Sequence, residues 1–157
     1  MISNSFERIS PVALTVLRLV VAAEMFFKGL SKIENLSRAP DLALGIHLPG
    51  VMGYIPAIME PVGGMLLAVG LGTRWVSLYF MTEMVFTGII SKMIVRGVPF
   101  IMGGGQPGSG WELDSLIFAG AFVLFALGAG PLALDRLLAR SRARGGSAPP
   151  LASQAPA

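Results

Sequence analysis

PVALTVLRLVVAAEMFFKGL, residues 11–30, is the stretch that decides the fold. Its length matches the run of about 20 mostly apolar residues that a helix needs to cross a bilayer. Yet it carries Arg18, Glu24 and Lys28, with Lys32 just beyond. Charge inside a bilayer is costly and turns toward a bundle interior or a hydrated cavity. The stretch therefore predicts a membrane helix with one ionisable face directed at other helices. Ser10 is the expected N-cap, with Pro11 in the first turn.

Composition points the same way. Hydrophobic residues make up 54% of the chain and charged residues 13%, with a mean hydropathy of +0.71, whereas soluble domains carry about 25% charged residues. A chain of 157 residues allows one modest domain. It has no cysteine, which excludes disulfides, thiolate nucleophiles and iron–sulfur ligation by this chain. One histidine, His47, cannot by itself supply a bis-histidine haem or a three-histidine zinc site, so no metal is expected. The net charge of +3 sits mostly in an arginine-rich tail and reads as an orientation signal, not a nucleic-acid patch.

Three further spans follow: IPAIMEPVGGMLLAVGLG at 55–72, then 75–95, then 113–134, entered past Trp111. The fold class expected is all-α, an integral membrane four-helix bundle over residues 1–135. Residues 136–157 form a basic and then disordered tail. GTRW at 72–75 makes a tight turn. PDLALGIHLPG, at 40–50, could form a short helix on the membrane surface. RGVPFIMGGGQPGSG, at 96–110, is an irregular connection that lacks the Lys-Ser/Thr of a phosphate loop.

Four spans place both termini on one side, together with Arg8, Arg74, Arg136, Arg140, Arg142 and Arg144. Lys32, Arg38, Lys92 and Arg96 lie on the other. The positive-inside rule then puts the termini in the cytoplasm of a multi-pass protein in the cell's inner (plasma) membrane. Val21 and Ala23 also fit a signal-peptide cleavage site, but Arg18 within the apolar stretch argues against that reading.

EMFFKGLSKI at 24–33 and EMVFTGIISKM at 83–93 share Glu, Met, Phe, Gly, Ser and Lys in order, with one residue inserted. Either a duplicated two-helix unit or chance accounts for the echo, since apolar helices draw on few letters.

At 100° per residue, Arg18, Glu24, Lys28 and Lys32 fall within an arc of about 120°. Glu60 shares a face with Gly63, Gly64 and Gly70, and Tyr79, Glu83, Thr87 and Ser91 form a stripe at steps of four. Counted at about 1.5 Å per residue, Arg18 and Glu83 come to similar depth and are expected to form a buried ion pair. Glu24, Lys28, Lys32, Glu60, Tyr79, Ser91, Glu112 and Asp114 are expected to form a polar cluster open to the outer face.

A structural role competes with a ligand site. Buried ion pairs can serve only to fix helix register, Lys32 and Lys92 can snorkel to headgroups, and Glu112 and Asp114 suit a helix N-terminus. The methionines read as packing, and His47 as an interfacial loop residue.

LRL at 17–19, GLSKI at 29–33, EPVGGMLLAVGLGTR at 60–74 and GWELDSLIFAGAFVLFALGAGPLALD at 110–135 resemble the DoxX family of small four-helix membrane proteins. Family members often have a histidine where this chain has Lys28, which argues against a metal or proton-relay role there. Arg18, Lys32, Glu60, Arg74, Glu112 and Asp135 match as motif positions, without an assigned catalytic role. The resemblance implies a link to quinone-coupled oxidation of reduced sulfur compounds, or membership of redox-stress complexes.

The function expected is the membrane subunit of a quinone-linked oxidoreductase. Quinone would be the non-covalent cofactor, and a partner subunit or a second copy would be the protein partner. Lys28, Lys32 or Tyr79 would donate to the quinone oxygens, and Glu24 or Glu60 would handle the proton. A non-catalytic scaffold for a partner protein is the alternative reading, and a small-molecule carrier a third.

Overall fold

The computed structural model describes residues 2–101 and 110–145. The expected disorder of the last residues, 146–157, and the glycine run within 102–109 lie outside that range. Among the described residues every regular element is helical. α1 is Ile2–Glu34, α2 Ala39–Leu44, α3 Tyr54–Val69, α4 Thr73–Met84, α5 Glu112–Leu127 and α6 Leu134–Gly145. α4 continues without a break into a π-helical segment, Val85–Val95. α1 packs along α3 and α4 along α5, with further contacts between α1 and α5 and between α3 and α4.

Two helical stretches, Gly50–Val69 and Thr73–Val95, are long and apolar enough to cross a membrane. The core between the helices is built from Val21, Met25, Leu67, Phe80, Ile117 and Leu124, among others, all nearly or fully buried. Met25 and Met84 are packed there, as expected of adaptable side chains.

Glycines set how closely the helices approach. A Cβ at Gly29 would collide with Pro61, and one at Gly64 would lie 2.8 Å from the Ala22 carbonyl oxygen. α1 and α3 therefore meet nearly backbone to backbone, and this seats Glu60, one turn before Gly64, against α1.

Several boundaries differ from the sequence reading. α1 begins at Ile2, so Pro11 lies inside the helix and Ser10 is not its N-cap. The preceding segment contains no other proline and no glycine to stop it. α3 ends at Val69 rather than at residue 72. Gly70 takes φ 74°, and its N–H and that of Leu71 donate back to Leu67 and Leu66 at 3.0 and 2.9 Å, a Schellman closure.

The fourth span, expected over 113–134, ends as a helix at Leu127. Gly128 and Gly130 both have positive φ, which favours glycine and breaks the helical path. The basic stretch after Asp135, for which the sequence predicts no helix, is helical as far as Gly145.

The turn between α3 and α4 is held from a distance. Asp135 accepts the backbone N–H groups of Gly72 at 2.9 Å and Thr73 at 3.1 Å. Its negative charge sits at the positive end of α4, where such charge is favourable.

Candidate functional site

The expected Arg18–Glu83 pair does not form. The Arg18 guanidinium instead donates to the carbonyl oxygens of Ala129 at 2.7 Å and Leu132 at 2.8 Å, in the loop after α5. The depth estimate failed because α1 extends below the other helices. Arg18 is level with Gly70, at the α3–α4 turn, while Glu83 lies ten residues, roughly 15 Å, further along α4.

At the opposite end of the helices is a cavity of about 440 Å³. Its polar wall holds three lysines and three carboxylates contributed by α1, α3, α4 with its π-helical continuation, and α5. Lys32 of α1 bonds Glu60 of α3 and lies 3.5 Å from Glu83 of α4. Lys28 lies 3.2 Å from Asp114 of α5. Lys92, from the π-helical segment, reaches the other oxygen of Asp114 at 2.7 Å and donates to the Gly110 carbonyl at 2.8 Å. One lysine thus serves two carboxylates, and one carboxylate serves two lysines.

The three acids are almost completely buried, while the lysine side chains are 21–27% exposed. The cations keep some contact with the cavity, and the anions depend on them for compensation. Oε2 of Glu60 and Oε2 of Glu83 are buried without a hydrogen-bond partner. Tyr79 lies beside Glu83 and, like the buried Ser91, lines the cavity. The remaining wall is mostly apolar, with Met52, Ile55, Met84 and Phe86 beside Thr82, Thr87 and Arg96, and the segment from Ala43 to Gly53 covers one side.

Of the cluster read from the sequence, the fold brings Lys28, Lys32, Glu60, Tyr79, Ser91 and Asp114 together. Glu24 is excluded: it is exposed. It sat at the edge of the predicted arc, and the buried stripe through Val21, Met25, Lys28 and Lys32 extends toward Ala22 and Gly29 on the other flank. Glu112 begins α5 but is not part of the cavity wall. His47 is exposed with φ 61° and also lies outside the wall, between Ile46 and Leu48, which line it.

Two members were missed or misassigned. Glu83 belongs to the cavity rather than to Arg18. Lys92, which the sequence allows to snorkel to headgroups, turns inward to Asp114. The available signal was the echo itself, in which Lys92 occupies the position of Lys32.

The inserted residue of that echo also has a structural counterpart. EMFFKGLSK, at 24–32, lies on an α-helix, whereas EMVFTGIISK, at 83–92, lies where the chain passes into i→i+5 winding. A π-helical turn takes more residues than an α-helical one and accommodates an extra residue. It keeps both Gly88 and Lys92 on the side of Asp114: a Cβ at Gly88 would lie 3.0 Å from the Asp114 Cβ.

A helical chain with two bilayer-length apolar helices and ionisable groups gathered between its helices is a small membrane protein. It belongs to the DoxX family, whose profile matches residues 13–93. It is also 29% identical over 143 residues to a Bacillus subtilis (strain 168) protein named "Putative oxidoreductase CatD", covering 91% of this chain and 96% of that one. No solved structure matches the chain.

Proposed function

We propose that this chain is the membrane subunit of a quinone-linked redox complex, with the cavity between the helices as the site for the quinone headgroup. The observation that carries the reading is the cavity's composition: three lysines and three carboxylates face one volume beside an apolar wall. The oxidoreductase name of the Bacillus relative supports the same class of chemistry.

The residues suit such a group. Its ring would rest against Ile55, Phe86 and Tyr79, and Lys28 and Lys32 offer N–H donors for carbonyl oxygens. Glu60 and Glu83 each have a buried oxygen with no partner, available to hold or pass a proton. A bound quinone supplies two-electron, two-proton redox chemistry. With no cysteine and one histidine, this chain relies on a partner subunit or external substrate for electrons.

In this reading α1, α3, α4 and α5 all cross the inner (plasma) membrane, with both termini cytoplasmic. Support comes from large apolar side chains exposed along each, including Val16, Val20 and Phe27 on α1, Ile58 and Met65 on α3, Trp75 on α4, and Leu116 and Phe122 on α5. A water-soluble monomer rarely exposes contiguous apolar surface on this scale.

Glu60→Gln in the native membrane complex tests the proposal. Quinone reduction should fall at least tenfold while the complex still assembles; unchanged reduction contradicts it. A scaffold role is the second reading, favoured by the pairing of Lys28, Lys32 and Lys92 with carboxylates. A partner complex that survives neutralisation of these charges with full activity would support the scaffold.

A further inference from the structure

A second cavity, of about 420 Å³, opens at the opposite end of the helices from the first. Its wall brings together Pro11 and Leu14 of α1, the start of α4, the loop after α5 and the first turns of α6. Arg74 and Arg136, both exposed, line it from different elements. Thr73 lines it too, is only 1% exposed, and has a hydroxyl with no hydrogen-bond partner. Asp135 is also in the wall, but its two oxygens are already engaged by the N–H groups of Gly72 and Thr73. The buried Arg18 lies within electrostatic reach of it. Arg74 and Arg136 thus share the wall with one committed carboxylate, and Arg18 adds positive charge nearby.

We propose that this cavity binds the phosphate of an anionic phospholipid headgroup, held by Arg74 and Arg136 with the Thr73 hydroxyl as a third donor. Guanidinium forks match phosphate oxygens in pairs. A lipid is favoured over a free phosphate because the pocket also has apolar walls at Leu14, Leu127 and Pro131. Next to it, α6 exposes Leu134, Leu137 and Leu138 alongside Arg136 and Arg140. Such a helix suits the plane of an anionic membrane surface. The site would tie the α3–α4 turn and the α5–α6 loop to one lipid.

The test uses the full chain purified in neutral detergent and exchanged into nanodiscs containing either phosphatidylglycerol or phosphatidylcholine. Native mass spectrometry then counts the lipids retained on release. Wild type should retain phosphatidylglycerol about tenfold more than phosphatidylcholine. The variant Arg74→Gln/Arg136→Gln should lose that preference, while Arg140→Gln, outside the pocket, should keep it. Equal retention of both lipids by wild type overturns the proposal, as does a preference that survives in the double variant or falls equally in Arg140→Gln. Displacement of phosphatidylglycerol by millimolar inorganic phosphate would assign the site to free phosphate and overturn the lipid assignment. Thermal unfolding of each variant without added anionic lipid controls for misfolding. If Arg74→Gln/Arg136→Gln unfolds early, Arg74→Lys/Arg136→Lys takes its place and should show a weakened preference; an undiminished one overturns the proposal.

Discussion

Lys92 Nζ lies 2.7 Å from Oδ2 of Asp114, across the interface between the π-helical continuation of α4 and the start of α5. Lys28 approaches the other oxygen of the same carboxylate. Removing that one negative charge leaves two cations facing each other. Asp114→Asn is therefore expected to destabilise the protein by ~2–3 kcal/mol, less than for a fully buried pair because both lysines are partly solvated. Thermal unfolding in detergent measures it. Lys92→Met added to Asp114→Asn should recover part of the loss, because the second change removes a stranded charge.

The π-helical winding supplies a second prediction. Deleting Ile90 restores the nine-residue spacing found in 24–32 and should return the segment to α-helical winding. The α-helical winding gives back the one residue that the π segment absorbs, so Lys92 should keep its side toward Asp114. Thermal unfolding should then show a loss smaller than that of Lys92→Met. A loss as large as that of Lys92→Met, and absent when the deletion is made in the Lys92→Met background, would show that Lys92 has swung off Asp114 and that the winding does not absorb the extra residue.

Close approach of α1 and α3 at Gly29 makes that position intolerant of a methyl group. Gly29→Ala drives a Cβ into Pro61 and should cost ~1–3 kcal/mol through overpacking. Gly97→Ala, at φ 61° with no atom within 4 Å of the added Cβ, should cost ~1 kcal/mol from backbone strain alone. Detergent unfolding midpoints for the two variants give the comparison.

Arg18 and Glu83 act at different ends of the molecule, so their substitutions should be independent. Arg18→Lys loses the fork that spans two carbonyl oxygens, and hydrogen exchange should rise in residues 128–135. Glu83→Gln should leave that loop unchanged. The energies of the two substitutions should add within ~0.5 kcal/mol; a larger coupling would revive the direct pair.

The sequence revealed the helices and most of the polar cavity because both follow periodicity. Lys28, Lys32, Glu60 and Tyr79 each lie on the face that a 100° step predicts, and Asp114 follows from its depth at the start of the last span. The errors arose where the step changes or where a reference level was assumed. Equal depth for Glu83 and Arg18 follows only from an α1 that begins at Pro11, whereas the helix runs from Ile2. An α-helical count leaves Lys92 off the cluster because it cannot anticipate i→i+5 winding. The Asp135 contact with Gly72 and Thr73 joins positions more than sixty residues apart, and no local pattern encodes it.

The most direct measurement is photoaffinity labelling with an azido-quinone in native membranes, followed by peptide mapping. Labels should concentrate on Ile55, Tyr79 and Phe86 and their immediate neighbours, compete with unmodified quinone, and decline sharply in Lys32→Met. Labels spread over the outward-facing residues of α1 and α5, insensitive to competitor and to Lys32→Met, would contradict a quinone site between the helices.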